Sequence, residues 1–461
     1  MIKKRYWTRR EFCKTFTKSG LAAGLFGFST VSCNSKQTSC SRKQVSFSRK
    51  QKPPNIVLIF SDDQGIGDVG LYGSEISTPN IDKIGIEGIK FNNFYVALPV
   101  CTPSRYSLLT GRYPYRAHEA YQGALMPQEP AHSKLHLPKD EVTIAQALKG
   151  AGYRTALIGK WHLGHGSIEY GPNSYGFDEF YGFLPGCIDY NLHSYESTPA
   201  WYRNKELVDE KGYATDLLTD EAIKFVTGNK DKPFFLYLAY NAPHYGRCPD
   251  GKFMQSPPEY PGLPEKANDR KVYAATVENM DKGIGKLLST LEQLRLEEDT
   301  IVIFLCDNGG DYRYGGSNKP YKGQKGGIWE GGIKTPCVIR WKGKIEPNQQ
   351  RNQVCISLDF FKTLTHWAGA RLPNRQLDGI DLNDIIMNDA KAPQRYLFFK
   401  RKPTRQIAVR DSKWKYLQDA DGTEYLFDMT KDPYEENNFI AENREQAAKM
   451  KAAYEKFINS L

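Results

Sequence analysis

Four apolar runs, each followed at once by polar residues, constrain the fold of this chain more than any other feature. Each run is long enough to form a strand that is buried on both faces. Helical stretches lie between them, among them residues 143–151 and 272–294. This alternation predicts an α/β fold with a mostly parallel sheet. The four runs span residues 55–60, 155–159, 233–240 and 300–305.

The residues that follow these runs carry charged and hydrogen-bonding groups. Because the carboxyl ends of parallel strands lie on one edge of a sheet, where ligand crevices form, we expect these side chains to lie together. The polar residues after any one run, taken alone, could instead form a turn or cap a helix. Four runs that deliver such groups to one edge predict an assembled site. The residues are Asp62 and Asp63, Lys160 and His162, His244, and Asp307 and Asn308.

The chemistry of these residues indicates a cation and an anion in one pocket. The sets after the first and last runs offer only carboxylate and amide oxygens, with no Cys–His set beside them. Such ligands favour Ca²⁺ or Mg²⁺ over zinc. The other two sets, together with Arg105, add positive charge and proton donors. A pocket of this kind suits a tetrahedral oxyanion and stabilises charge on a leaving oxygen.

The stretch "CTPSRYSLLTG", residues 101–111, places a cysteine at the start of a predicted helix. Pro103 suits the first turn of that helix, and Gly111 suits its end. Cys101 then lies at the helix N-terminus, where free amides and the helix dipole favour anions, so a thiolate nucleophile fits there. An unmodified loop thiol is the alternative. The nine cysteines show no CxxC spacing, which argues against a disulfide scaffold.

The excess of basic residues belongs to the first 52 residues and argues against a nucleic-acid partner. The formal net charge is +10, but residues 1–52 carry thirteen Lys or Arg and one acid, a net of +12, which leaves −2 for the rest. Paired arginines in "TRREFCK" precede an apolar run at 21–28, and "STVSC" ends at Cys33. An ordinary basic tail is the alternative to a targeting signal here.

These features predict a twin-arginine export signal over residues 1–33, with a lipoprotein cleavage site that would add a lipid anchor. Residues 34–52 are rich in Ser, Lys and Gln and are expected to form a flexible tether. We therefore expect an exported protein, either periplasmic or a lipoprotein at the cell surface. The catalytic domain is expected over residues 53–389. Alternating runs after residue 390 predict a C-terminal subdomain over 390–461, a small antiparallel sheet closed by a helix over 442–461.

The motifs quoted above resemble those of the type I sulfatases. "CTPSRYSLLTG" matches the signature in which the cysteine is oxidised to formylglycine, and "GYRTALIGKWHLG", residues 152–164, matches a second signature. "SDDQG", "NAPH", "CDNGG" and "KGGIWEGG" fall in the family's order. The resemblance runs from about residue 55 almost to the C-terminus. It implies an alkaline-phosphatase-like fold and a sulfuric ester hydrolase.

The resemblance also implies the metal site and the nucleophile. Asp62, Asp63, Asp307, Asn308 and the residue at position 101 would bind Ca²⁺, with Mg²⁺ or Mn²⁺ as alternatives. A maturation enzyme would convert Cys101 to formylglycine, which is present as its hydrate. One hydroxyl of the hydrate would attack sulfur while Asp307 accepts its proton. The second hydroxyl would then expel sulfate from within, without a separate water.

Further roles come from the resemblance for the basic residues around position 101. Arg105 would hold the hydrate in position. Lys160, His162 and Lys325 would bind the sulfate oxygens. His244, helped by Lys325, would protonate the departing alcohol, and His162 is the candidate base for sulfate release. Packed core histidines and a solvated loop lysine remain the alternatives to these roles.

The region "GFDEFYGFLPGCIDYNLH", residues 176–193, is most similar to the arylsulfatase B-like, N-acetylgalactosamine-4-sulfatase branch, which acts on sulfated sugars. It implies a sulfated polysaccharide, oligosaccharide or glycosaminoglycan as substrate. Cys187 departs from the small polar residue of that branch. Asp189 and His193 are expected to contact sugar hydroxyls, and a purely structural loop is an equal alternative.

Two other functions remain open from the sequence. Phosphonate monoester and phosphodiester hydrolases share the formylglycine site and similar metal ligands, so these motifs alone do not exclude them. An exported carbohydrate-binding lipoprotein that has lost catalysis would show damaged active-site positions, and none is found. The oligomeric state and the position of the sulfate on the sugar are not given by the sequence.

Overall fold

A ten-stranded mixed sheet forms the centre of the computed structural model, which describes residues 52–251, 253–263 and 269–461. The predicted export signal and all of the predicted tether but Lys52 lie outside these residues. Residues 52–461 pack as one compact unit. The described strands are β1 Asn55–Asp62, β2 Ile89–Phe91, β3 Phe94–Tyr95, β4 Arg154–Lys160, β5 Glu179–Phe183, β6 Ser194–Tyr195, β7 Thr198–Pro199, β8 Trp201–Arg203, β9 Glu206–Leu207, β10 Phe234–Pro243, β11 Thr300–Cys306, β12 Cys337–Trp341, β13 Gln349–Arg351, β14 Cys355–Ile356, β15 Leu397–Arg401, β16 Gln406–Arg410, β17 Trp414–Gln418 and β18 Glu424–Asp428.

The four predicted runs form β1, β4, β10 and β11, and these strands are neighbours in the sheet. The strand order is β13-β2-β12-β11-β1-β10-β4-β5-β8-β9. The five strands from β11 to β5 run parallel, and antiparallel strands β12 and β8 flank them. Every residue of β1, β10 and β11 is buried, so these runs are apolar on both faces instead of alternating. The predicted α/β sheet is confirmed.

Helices cover both faces of this sheet. Alternate residues of β1 therefore pack into two different hydrophobic cores, one on each face. Ile56, Leu58 and Phe60 pack in a cluster with residues of α2, α3 and α7, whereas Val57 and Ile59 pack with residues of α1, α4 and α5. Each such side chain contributes about 1.5–3 kcal/mol when it is fully buried. The helices are α1 Pro79–Ile86, α2 Cys101–Thr110, α3 Ile144–Gly150, α4 Ala214–Gly228, α5 Arg270–Gln293, α6 Glu330–Ile333, α7 Asp359–Trp367, α8 Asn383–Asn388 and α9 Arg444–Ile458.

The C-terminal residues form a separate four-stranded antiparallel sheet, β15-β16-β17-β18. α9 packs on β16 and β17, and it is shorter than the predicted helix over 442–461. Phe399 of this sheet packs with Tyr113 and Trp329 from the preceding part of the chain. The predicted antiparallel sheet is confirmed, whereas the boundary between residues 389 and 390 stays a prediction. No helix among the described residues is long and apolar enough to span a lipid bilayer.

Candidate active site

Most of the predicted site residues assemble at the carboxyl edge of the parallel strands. One acid ends β1 and a second follows it, a lysine ends β4 with a histidine two residues beyond, a histidine follows β10, and an acid and an amide follow β11. α2 and the loop before α6 supply the rest. Contacts connect these residues, either directly or through another member of the set. They are Asp62, Asp63, Cys101, Arg105, Lys160, His162, His244, Asp307, Asn308 and Lys325.

The acidic residues form a compact cluster. Oxygen atoms of Asp62 and Asp307 and the thiol of Cys101 lie within 4.8 Å of one another. The backbone amide of Asp63 donates to Asp307 Oδ1 at 3.1 Å, and Asn308 Nδ2 donates to Asp63 Oδ1 at 2.8 Å. The ends of β1 and β11 are therefore joined through their polar residues, beyond the last backbone pair of the two strands.

Two residues of the site adopt left-handed backbone conformations. Asp63 has φ 61° and His162 has φ 57°, values that residues with a Cβ seldom adopt. Each turns the chain immediately after a strand, so that the chain leaves the sheet while the side chain stays at its edge. Strain of this kind persists where surrounding contacts fix the conformation, and it is common at functional sites.

Arg105 and Lys160 compensate part of the negative charge. Lys160 Nζ donates to Asp62 Oδ2, and Arg105 Nη2 lies 3.3 Å from Asp62 Oδ2 and 3.5 Å from Asp307 Oδ2. Burial alone would raise the pKa of Asp62, but the positive charge of Lys160, with Arg105 and others, outweighs it and lowers that pKa. Burial and the nearby charge of Asp62 raise the pKa of Asp307 well above its usual range.

This arrangement fits a divalent cation. Three buried oxygens of this cluster have no hydrogen-bond partner among the described residues: Asp62 Oδ1, Asp307 Oδ2 and Asn308 Oδ1. Unpartnered buried oxygens of this kind are costly unless an ion or another donor meets them. The donors are carboxylate and amide oxygens, which hard cations prefer. The raised pKa of Asp307 also fits a cation at this position, because a cation would relieve the repulsion between the carboxylates of Asp62 and Asp307.

His244 and Lys325 form a hydrogen-bonded pair beside Asp63. Lys325 Nζ donates to Asp63 Oδ2 at 2.6 Å and lies 3.2 Å from His244 Nε2. His244 Nδ1 lies 2.8 Å from the carbonyl oxygen of Tyr245, so Nδ1 carries the proton and Nε2 accepts from the lysine. Burial lowers the pKa of His244 to about 4. Burial would lower the pKa of Lys325 too, but the charge of Asp63 raises it well above its usual value.

His162 faces the cavity with one free nitrogen. Its Nε2 lies 2.9 Å from the carbonyl oxygen of Leu125 and donates to it, whereas Nδ1 has no partner in the described part of the chain. Burial and the charge of Lys160 keep the pKa of His162 well below its usual value, so the ring is neutral. Gly186 packs on this ring, and a Cβ there would lie 2.7 Å from His162 Cε1. Only glycine allows this approach.

Cys101 begins α2, as predicted, and Gly111 ends it with φ 67°. The thiol is buried, and burial raises the pKa of Cys101. The thiolate that a helix N-terminus would favour is therefore disfavoured at this position. Beside Asp62, Lys160 and Asp307, the position suits an uncharged group more than a free thiolate.

A small cavity of about 60 Å³ opens over these residues and is bordered by side chains that the sequence motifs do not identify. Tyr195 lines it and accepts a hydrogen bond from Gln128 Nε2. Arg247 lines it and pairs with Glu196 at 2.9 Å. Cys187, which the sequence singled out, also lines it. In the sequence, Arg247 is marked only by its position shortly after the "NAPH" motif.

The structure does not bring Asp189 and His193 to the cavity. Asp189 Oδ1 accepts from two backbone amides of its own loop and from Gln255 Nε2 at 3.0 Å. His193 Nε2 lies 2.9 Å from the carbonyl oxygen of Gly212, and its ring stacks on Trp201 at 4.7 Å. Both side chains are buried in contacts that shape the loop. Their contact with sugar hydroxyls stays a prediction, which these positions do not favour.

Two family models match this chain. The model described as Sulfatase matches residues 54–370. The model described as N-sulphoglucosamine sulphohydrolase, C-terminal, matches residues 324–460.

Individual proteins and structures match over most of the chain. Arylsulfatase A from Homo sapiens is 35% identical over 420 residues, which cover 83% of this chain and 78% of that protein. N-acetylgalactosamine-6-sulfatase from Canis lupus familiaris is 34% identical over 380 residues, which cover 77% of this chain and 69% of that protein. The crystal structure of Ps i-CgsB in complex with k-i-k-neocarrahexaose is 34% identical with a TM-score of 0.80, and the match covers 88% of this chain and 93% of that one.

Proposed function

The chain belongs to the type I sulfatase family, and from that premise we propose that it hydrolyses a sulfate ester carried by a carbohydrate, with residue 101 as the reacting residue. The observation that carries this proposal is the cavity itself. Cys101, His162, His244 and Lys325 line one small space, with buried carboxylates behind it. A space bordered by cations and proton donors binds a sulfate group and stabilises charge on its leaving oxygen.

Two groups that the family uses would complete this site. Cys101 would become formylglycine, made by a maturation enzyme, and its hydrated aldehyde would supply the oxygen that attacks sulfur. Asp62, Asp63, Asp307 and Asn308 would hold a divalent cation. Ca²⁺ suits these oxygen ligands, and Mg²⁺ or Mn²⁺ are the alternatives. The cation would supply positive charge to the sulfate oxygens.

The basic residues bind and orient the sulfate. Lys160 and Lys325 are both charged and stand on the acidic cluster, so their remaining N–H groups can point to sulfate oxygens. Arg105 is fully buried and holds Asp62 and Asp307 in place, and its Nη1 also donates to the carbonyl oxygen of Lys160 at 3.1 Å. The charged groups that bind the sulfate are therefore already held in position before the substrate arrives.

Proton transfer is divided between the two histidines. His162 lines the cavity and is neutral, and its Nδ1 has no partner among the described residues, so this nitrogen can accept a proton. His244 is neutral and its Nε2 is bonded to the charged Lys325, so this pair can pass a proton to the oxygen of the departing alcohol. One histidine thus acts as base and the other belongs to the acid pair.

The carbohydrate substrate is supported by the names of related proteins. N-acetylgalactosamine-6-sulfatase names a sugar, and the related crystal structure holds k-i-k-neocarrahexaose. The predicted similarity to the N-acetylgalactosamine-4-sulfatase branch points to the same class, but the branch stays a prediction. Export through residues 1–33, a lipid anchor at Cys33 and a periplasmic or cell-surface location are also proposals, supported by the sequence of the leader.

The proposal is tested by measuring sulfate released from defined sulfated oligosaccharides by the purified, matured enzyme. We expect hydrolysis of at least one sulfated saccharide and of a synthetic aryl sulfate. We also expect loss of more than about a thousandfold in kcat in Cys101→Ala, with little change in Cys355→Ala, which removes another buried thiol. A higher rate on a phosphodiester or a phosphonate monoester than on any sulfate ester would overturn the proposal.

A further inference from the structure

Arg401 reaches from the C-terminal sheet to two loops that border the active-site cavity. It is the last residue of β15 and is half-buried. Its Nε donates to the carbonyl oxygen of Gly326 at 3.2 Å, and its Nη1 donates to the carbonyl oxygen of Gln122 at 3.2 Å. Gly326 directly follows Lys325, and Gln122 lies in the segment whose backbone binds His162. Arg401 therefore stands close to the site although it belongs to a different sheet.

Among the described residues, no acid lies close enough to Arg401 to compensate its positive charge. No carboxylate of the described residues lies within 4.0 Å of its guanidinium, and its Nη2 makes no hydrogen bond to any of them. Burial lowers the pKa of Arg401, and the only other groups that act on it, Tyr115 and Cys101, are uncharged at neutral pH.

Two other arginines, Arg247 and Arg395, differ in this respect. Arg247 lines the same cavity but pairs with Glu196 at 2.9 Å. Arg395 is partly buried and pairs with Asp359 at 2.6 Å, and that carboxylate raises its pKa. An arginine kept partly buried without an acid is costly unless an anion meets it part of the time.

We propose that Arg401 binds a second anionic group of the substrate, a sulfate or a carboxylate, carried by the saccharide whose sulfate ester is cleaved. This inference rests on the proposed function, because it assumes a sulfated carbohydrate. Two of the five guanidinium N–H groups are used on backbone carbonyls, so the others can bind an oxyanion. Sulfated polysaccharides commonly carry such additional anions, whereas simple aryl sulfates carry only the ester that is cleaved.

The test compares kcat/KM for oligosaccharides that share one backbone. The first carries only the scissile sulfate, the second adds a sulfate on the same ring, the third adds it on the neighbouring ring, and the fourth adds a carboxylate there. The wild-type enzyme is expected to prefer at least one of the doubly anionic substrates. The ratio to follow is kcat/KM for the preferred doubly anionic substrate divided by kcat/KM for the singly sulfated substrate. In Arg401→Gln this ratio should fall about 10- to 100-fold. In Arg401→Lys the ratio should fall less, because lysine keeps the positive charge.

Lys402→Gln is the matched control, because it removes a positive charge at the next residue, where Lys402 pairs with exposed Glu119. It should leave the ratio unchanged. A ratio that is unchanged in Arg401→Gln overturns the inference, and so does an equal loss on all four substrates, which would show that Arg401 only positions the two loops. If Arg401→Gln does not fold, a wild-type ratio near one overturns the inference by itself.

The two proposals fail in different ways. If the wild-type enzyme cleaves aryl sulfate but none of the four saccharides, the proposed carbohydrate substrate fails and this inference fails with it. If it cleaves the saccharides without preference for a second anion, only the role of Arg401 fails.

Discussion

The contact between His244 and Lys325 bears on how the departing alcohol receives its proton. His244 is neutral and its Nε2 lies 3.2 Å from the charged amine of Lys325. A sugar alkoxide is a poor leaving group and needs a proton as the bond to sulfur breaks. A nitrophenolate leaves without one. The need for His244 should therefore depend on the substrate.

His244→Ala is expected to lower kcat/KM on a sulfated saccharide by about a hundredfold or more, and to lower it much less on nitrophenyl sulfate. Parallel measurements of sulfate release and nitrophenol release check this. His366→Ala is the control, because His366 is exposed and pairs only with Asp381. Equal losses on the two substrates would show that His244 binds sulfate and does not supply the proton.

Removal of a bound cation should weaken both activity and folding. The carboxylates of Asp62 and Asp307 lie close together in a buried cluster, where Arg105 and Lys160 compensate only part of their repulsion. A chelator is therefore expected to abolish sulfate release and lower the melting temperature. A cation at a hundred times its Kd would restore about 2.7 kcal/mol. Melting curves with Ca²⁺, Mg²⁺ and Mn²⁺ check this, and identical curves with and without chelator would contradict it.

Single residues of the site were predictable where they follow a buried strand or lie in a motif. Asp62, Lys160 and Asp307 are examples, because strand ends bring them to one edge whatever the loops do. Asp189 and His193 were predicted from loop chemistry alone, and the structure places them in contacts of their own loop. A polar residue in a loop carries no local signal that separates a ligand contact from a turn-forming contact.

At the scale of elements, a buried ionic network joins the C-terminal sheet to the helix that follows the Lys325 loop. Lys415 of β17 is fully buried and lies 3.0 Å from a carboxylate oxygen of Glu330 and 2.7 Å from one of Glu435. The backbone amide of Glu330, at the start of α6, donates to Glu435 Oε2 at 2.8 Å. The position of the Lys325 loop therefore depends on β17.

Lys415→Met should lower the free energy of unfolding by about 3–5 kcal/mol, because it removes the buried cation that pairs with both Glu330 and Glu435. Denaturant unfolding of both proteins measures this. Lys413→Met is the control, since the Lys413 side chain is about half exposed and its Nζ lies 3.7 Å from Asp428 Oδ2. That change should alter stability by less than about 1 kcal/mol. Equal effects of the two substitutions would contradict the importance of the network.

Glu435 should make stability depend on pH. Burial raises the pKa of Glu435 from 4.5 to about 7, with repulsion from Glu330 adding to the shift and Lys415 opposing it. The folded state then holds a proton that the unfolded chain releases near pH 4.5, so the free energy of unfolding falls as the pH rises from about 4.5 to 7.

Glu435→Gln should show a smaller fall over this range, and Glu436→Gln, at the exposed neighbouring residue, should behave as wild type. Denaturant unfolding at several pH values checks this. The same slope in wild type and Glu435→Gln would contradict the raised pKa.

The elements themselves follow from local patterns, but their contacts do not. The continuous apolar runs of β1, β10 and β11 and the alternating runs of the C-terminal sheet are visible in the sequence. The network of Lys415 joins residues 85 positions apart in the chain, and no periodicity marks such a pair. The same holds for the bond from Arg401 to Gly326, which crosses 75 positions. Long-range polar contacts depend on how sheets pack and not on propensity.

At the scale of the whole molecule, the type I sulfatase family predicted from the motifs is confirmed by the family match and by relatives of about one-third identity. The predicted mostly parallel sheet with a small antiparallel C-terminal sheet is likewise confirmed. The sugar, the sulfate position and the export route depend on surfaces and a leader that these patterns do not fix.

The central claim is that residue 101, converted from cysteine to formylglycine, is the reacting residue in the cavity. The direct measurement is the mass of the peptide that contains residue 101, in preparations made with and without a maturation enzyme and assayed for sulfate release. We expect an aldehyde in place of the thiol, with specific activity proportional to the converted fraction. Full activity in a preparation in which residue 101 is entirely unmodified cysteine would contradict it.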